Sequence, residues 1–143
     1  MSVLNKFSLE GKTAIVTGCK RGIGKAMAIG LAEAGANIIG VSASMELSNS
    51  DVEKEVLARG KNFKAYQCDF SERKALYAFI KQVKSDFPVI DILVNNAGGP
   101  PAGNFRDFNI ADWEKALNAN MLTPIELIKS VLDGMIERRT VVS

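Results

Sequence analysis

Residues 17–24 read Thr17-Gly18-Cys19-Lys20-Arg21-Gly22-Ile23-Gly24 and stand between two segments of different periodicity. Upstream, Lys12 to Thr17 is a short apolar and β-branched run of strand length; downstream, Ile23 to Ala34 carries apolar residues at helical spacing. The glycines therefore fall at a strand-to-helix junction. Gly18 allows a tight turn, Gly22 lets phosphates approach the backbone, and Gly24 lets the helix lie close to the sheet. The free N–H groups of a first helical turn face an anion favourably. Glycines also make turns where no ligand binds, so the trio acquires meaning only from its surroundings.

Working outward, Asn37 to Val41 reads as a second buried strand, reached past a helix stop at Gly35. Ser48-Asn49-Ser50-Asp51 offers N-caps for a short charged helix ending near Gly60. Phe63 to Cys68 reads as a third strand, Ser71 to Phe87 as a helix, and Asp91 to Val94 as a fourth strand before Asn95-Asn96-Ala97-Gly98. A long helix is expected from Asn109 to about Arg138. Its apolar stripe of Trp113, Leu117, Met121, Ile128, Val131, Leu132 and Met135 is expected to pack on the core, with a kink where Pro124 cannot donate to the Asn120 carbonyl. Strands alternating with helices imply a Rossmann-like, doubly wound parallel sheet of order 3-2-1-4 within a single dinucleotide-binding domain, residues 1–143. Thr140 to Ser143 reads as the beginning of a fifth strand beside the fourth.

Composition narrows the function classes. With 47% apolar and 24% charged residues, the 143-residue chain suits one soluble domain, and a net charge of +2 gives no reason to expect nucleic acid. No apolar run is long enough to span a bilayer and Met1 to Glu10 lacks the features of a secretory signal, so a cytoplasmic, membrane-free protein is expected. The absence of histidine excludes Ser-His-Asp chemistry, and Cys19 and Cys68 lack metal-ligand spacing, so no metal site is expected.

Thr-Gly-x-x-x-Gly-Ile-Gly, followed in order by Asp69, by Asn-Asn-Ala-Gly at 95–98 and by Asn120, resembles the short-chain dehydrogenase/reductase family. Residues 1–97 are most similar to the branch acting on 2-keto-3-deoxy sugar acids. From Gly98, the Gly-Gly-Pro-Pro-Ala-Gly-Asn-Phe loop and the following helix look more like a 3-oxoacyl reductase-like branch; a recombinant, a shortened natural copy and a chimera all remain open. The resemblance implies that Gly18, Lys20, Arg21, Gly22, Ile23, Gly24, Ser42, Asp69, Phe70, Asn96, Ala97 and Gly98 bind NAD or NADP. Asp69 has a second reading as a helix cap. The Gly98–Gly103 loop reads equally as a wall over the nicotinamide or as a connector.

At the end of the second strand, Ser42 stands where NAD-preferring relatives carry an acid. Without that charge, Arg21, Ser42 and Ser44 favour a 2′-phosphate, a lean towards NADP; Lys20 and Arg21 also read as solvated loop charges. For catalysis, the resemblance assigns a relay role to Asn120, whose main-chain carbonyl holds a water, and a substrate-binding role to Ser143. Tyr77 and Lys81 have the family's Tyr-x-x-x-Lys spacing but precede the fourth strand, on a helix expected in the outer layer, and are set aside. No such pair follows the fifth strand here, so the chain is expected to be inactive by itself. The expected role is the NAD(P)-binding domain of an oxidoreductase acting on a secondary alcohol or ketone of a small keto or hydroxy substrate, a sugar acid; the alternative is a non-catalytic dinucleotide-binding module or a self-associating truncated or chimeric fragment. Homo-oligomers are expected in every case.

Overall fold

A computed structural model describes residues 2–101 and 103–139. After a 3-10 turn at Val3–Phe7, the chain runs β1 (Thr13–Thr17), α1 (Gly22–Glu33), β2 (Asn37–Ser42), α2 (Asp51–Ala58), β3 (Phe63–Gln67), α3 (Arg73–Asp86) and β4 (Ile92–Val94). A 3-10 turn at Phe105–Asp107, α4 (Ile110–Leu117), a π-helical turn (Asn118–Leu122) and α5 (Thr123–Glu137) follow. The four strands lie parallel in the order β3-β2-β1-β4, as the alternation of strands and helices predicts. The segment read as a fifth strand, Ser143 included, lies outside the described residues.

Alternation along the strands divides the core between the two faces of the sheet. Ala14 and Val16 of β1 and Ile38 of β2 join Ala28, Ala32, Val52 and Val56 under α1 and α2. Ile15, Ile39 and Val41 point the other way and meet Leu76, Phe79 and Val83 of α3 and Leu127, Val131 and Met135 of α5. Both faces are covered, so the interiors of β1 and β2 are apolar and buried, while β3, at the edge, exposes Lys64 and Gln67. Ser50 caps α2, its hydroxyl accepting from Glu53 N at 3.2 Å, and Gly35 ends the turn after α1 with φ +114°.

The long helix departs from expectation. It is broken by a π turn, in which the Thr123 N–H donates to the Asn118 carbonyl five residues back. The Thr123 hydroxyl donates to the same carbonyl at 2.8 Å and lies 3.3 Å from the Phe70 carbonyl, so buried Thr123 builds the break together with Pro124. The extra residue in the turn re-aims the apolar stripe. Thr123, Leu127, Val131 and Met135 face the core at four-residue spacing, whereas Trp113, Leu117, Met121 and Ile128, expected inside, are exposed. Trp113 instead packs edge-on against Phe105 and Phe108.

Candidate functional site

The site is built where β1, β2 and β4 end. Gly18 opens the glycine turn with φ +66°, its N–H donating to the Val41 carbonyl of β2 at 2.8 Å. Gly22 begins α1 with φ +60°, and a Cβ placed there would meet nothing within 4 Å, leaving open space beside the backbone. Gly24 is the opposite case: a Cβ there would run into the Gly18 carbonyl and the Asn96 amide. Only glycine lets the helix sit this close to the strand ends. Arg21, the N-cap residue, makes no side-chain capping bond, and the first turn of α1 carries no acidic residue. Its N–H groups and the positive end of the helix dipole are thus available to an anion.

Across the sheet, the Asn96 side chain donates to the Thr17 and Gly18 carbonyls, both at 3.2 Å. The Thr17 hydroxyl accepts from Asn96 N at 2.9 Å and Ala97 N at 2.8 Å, and donates to the Val94 carbonyl at 3.3 Å. Sequence reading places Asn96 beside the cofactor; in the structure its amide holds the glycine turn, while the residue as a whole still borders the cleft. At the other end of β1, the Asp91 carboxylate accepts from Thr13 N at 2.9 Å. The first and fourth strands are therefore registered by side chains at both ends.

Between these elements lies a cleft of about 390 Å³ lined by Gly18, Ser42, Cys68, Phe70, Asn96 to Pro100 and Ala119. Ser42 Oγ is buried and has no hydrogen-bond partner, an orphaned hydroxyl at the exit of β2. Phe70 contributes to the wall but belongs mainly to the core, stacked edge-on against Phe79. Asp69 is exposed, and its carboxylate accepts from Ser71 N at 3.0 Å and Ser71 Oγ at 2.7 Å, shaping the turn into α3. Ile23 is exposed at the start of α1. Lys20 donates to the Ser44 carbonyl at 2.7 Å and pairs with Glu46 at 3.0 Å; the Lys20 hydrogen bond holds the Glu46 carboxyl below the usual carboxylate range. Burial pushes the Cys19 thiol up to about 11, and burial with the Asp69 charge pushes Cys68 up to about 12, so neither is a reactive nucleophile at neutral pH.

Gly99 and Pro100 separate this cleft from a second of about 430 Å³ between the 99–108 loop and α4. The loop is fixed by Asn120, whose side-chain oxygen accepts from Gly99 N at 2.8 Å while its nitrogen donates to the Gly99 carbonyl at 2.9 Å and the Ala116 carbonyl at 2.8 Å. Asn120 thus meets the loop read as either a wall or a connector, and does so through its side chain. Tyr77 is exposed on α3, whose opposite face is buried, and neither it nor Lys81 lines either cleft. Sequence reasoning does not single out Thr17, Asp91 or Glu46. The signal for Thr17 is a β-branched hydroxyl residue ending a buried strand; nothing local marks Glu46.

A sheet of this order, with its glycine turn and cleft at the carboxyl ends of the strands, defines a dinucleotide-binding fold. The profile of the short chain dehydrogenase family matches residues 12–141, and the chain belongs to that family of oxidoreductases. It is 58% identical over 142 residues to 2-dehydro-3-deoxy-D-gluconate 5-dehydrogenase of Pseudoalteromonas atlantica, an alignment that covers 96% of this chain and 54% of the relative. It is 36% identical over 132 residues to a 3-oxoacyl-(acyl-carrier-protein) reductase of Vibrio cholerae, covering 92% of this chain and 52% of that one. The crystal structure of a 3-oxoacyl (acyl-carrier-protein) reductase from Agrobacterium tumefaciens with NADP bound superposes with a TM-score of 0.85 at 32% identity, over 99% of this chain and 55% of that one. The chain spans about half the length of the curated relatives it matches. Among the described residues, no helix is long and apolar enough to cross a membrane.

Proposed function

We propose that this chain supplies the NAD(P)-binding part of an oxidoreductase that transfers hydride between a nicotinamide and a secondary alcohol or ketone of a sugar acid. The observation that carries the reading is the cleft at the ends of β1, β2 and β4, with an uncapped, carboxylate-free helix start beside it and an orphaned Ser42 hydroxyl in its wall. That donor set suits a dinucleotide: backbone N–H groups of Gly22, Ile23 and Gly24 for the pyrophosphate, Ser42 for the adenosine ribose, and Asp69 and Phe70 near the adenine. Ala97, Gly98 and Gly99 offer the close backbone approach that a nicotinamide end needs. When bound, the nicotinamide supplies the hydride chemistry.

The chain's own residues position and exclude. Thr17 and Asn96 hold the glycine turn against the end of β4, and Asn120 holds the loop at Gly99. The Asn120 carbonyl is assigned the relay water and Ser143 a hydrogen bond to the substrate carbonyl, both from the family's pattern. The sugar-acid substrate rests on the 2-dehydro-3-deoxy-D-gluconate 5-dehydrogenase relative. A lean to NADP rests on Ser42 standing in place of an acid and on the NADP bound in the Agrobacterium tumefaciens reductase structure. A cytoplasmic location and self-association complete the reading; the exposed Leu117, Met121, Ile125 and Ile128 offer the surface for association.

Calorimetric titration of the 143-residue chain with NADPH and NADH tests the core of this reading. Saturable binding of either is expected. A folded chain that binds neither overturns it, and leaves the second reading, a self-associating segment without cofactor, to be checked by sedimentation.

A further inference from the structure

Lys20 leaves the glycine turn and reaches the segment that follows β2, where its ammonium donates to the Ser44 carbonyl at 2.7 Å and meets the Glu46 carboxylate at 3.0 Å. That segment is itself anchored. Met45 is fully buried, its N–H approaches the Ser42 carbonyl at 3.4 Å, and its carbonyl accepts from the Gln67 side chain at 2.7 Å. The turn therefore holds Glu46 against the lysine of the glycine turn, four residues past Ser42, whose Oγ is buried without a partner. The position that carries an acid in NAD-preferring proteins holds a serine here, and a carboxylate four residues further on pairs instead with the lysine of the glycine turn.

We infer that Glu46 is a carboxylate that modulates cofactor selectivity at the adenosine end: it sequesters Lys20, and so shifts how far the chain favours a ribose carrying a 2′-phosphate over one carrying a free 2′-hydroxyl. The inference rests on the cofactor reading above. A 2′-phosphate brings about −1.5 to −2 charges to the site and must win Lys20 from Glu46 while facing that carboxylate at short range. A 2′-hydroxyl meets neither requirement. The Glu46 side chain is 51% exposed and the Lys20 side chain 28%, so water and salt screen the pair, and it modulates the preference without fixing it. Residues 43–46 hold the pair in place through Met45, so the effect belongs to Glu46 and not to a freely moving surface charge.

The test is the pair of dissociation constants for NADPH and NADH, measured by titration on the wild-type chain, Glu46→Gln and Glu46→Asp. Glu46→Gln is expected to tighten NADPH about tenfold and to leave NADH unchanged, whereas Glu46→Asp keeps a ratio within about threefold of wild type. In a Lys20→Met background the gain from Glu46→Gln is expected to disappear. An unchanged NADPH-to-NADH ratio in a folded, nucleotide-binding Glu46→Gln chain overturns the inference while the cofactor reading stands. A full gain in the Lys20→Met background overturns the sequestration of Lys20. If the folded wild-type chain binds neither nucleotide, the cofactor reading has failed and the inference falls with it.

Discussion

The backbone N–H of Asn96 donates to the Thr17 hydroxyl at 2.9 Å, and the Asn96 side chain returns a bond to the Thr17 carbonyl at 3.2 Å, so the exits of β4 and β1 are joined twice between the same two residues. The Thr17 hydroxyl also takes the Ala97 N–H at 2.8 Å. Replacing Thr17 by Val keeps its volume but removes that acceptor and strands two backbone donors at a partly buried site. The expected cost is about 1–3 kcal/mol for each donor left unpaired, seen as a fall in the urea midpoint, with Thr17→Ser close to wild type. Nucleotide affinity should fall with the stability in Thr17→Val, because the glycine turn loses its support.

Gly22 and Gly24 are expected to fail in different ways. At Gly22 there is room but the backbone is left-handed, so Gly22→Asp costs about 1–2 kcal/mol in strain, leaves a folded chain, and abolishes nucleotide binding by placing a carboxylate at the helix start. At Gly24 the backbone is ordinary but the space is taken by the Gly18 carbonyl and the Asn96 amide. Gly24→Ala is therefore expected to lower stability by about 1–3 kcal/mol or more. Thermal unfolding beside calorimetric titration separates the two, and normal binding by Gly22→Asp would remove the glycine turn from the cofactor site.

Asn120 holds Gly99 by both its N–H and its carbonyl, with Gly98 and Gly99 at φ +144° and +155°. Asn120→Ala should release this loop while the sheet stays intact. Hydrogen exchange is expected to quicken at the Gly98 and Gly99 amides and to remain slow in β1 and β2, as local opening differs from global unfolding. Equal protection at Gly99 in both chains would show that the clamp contributes nothing to the wall of the cleft.

Acid stability offers a separate check on the outer layer. The Tyr66 hydroxyl donates to Asp86 at 2.6 Å and, with help from Gln82 and Lys64, holds that carboxyl below its usual range. A folded value below the unfolded one means that the stabilisation is present above the ordinary carboxylate range, about pH 4, and is lost as the pH falls through the lowered value. Tyr66→Phe is expected to be less stable than wild type near neutrality and to converge with it in acid. A difference that persists unchanged to pH 2 would assign the loss to packing against Phe79, its edge-on neighbour at 5.3 Å.

What could be read from the chain directly was whatever depends on neighbours in sequence. The run from Lys12 to Gly24 encodes strand, turn and helix within a few residues, because β-branched residues, glycine freedom and helical periodicity act locally, and the alternation repeated along the chain implies a parallel sheet. Only tertiary packing decided the rest. Thr17 finds Asn96 across 79 positions, Lys20 finds Ser44 across 24, and Asn120 finds Gly99 across 21, each pairing created when strand ends and loops are brought to one edge of the sheet. The apolar stripe of the long helix was visible, but which of its faces would be buried depended on a π turn built by Thr123 reaching the Phe70 and Asn118 carbonyls. A side chain's partner is set by where the fold carries it, and no local pattern records that position.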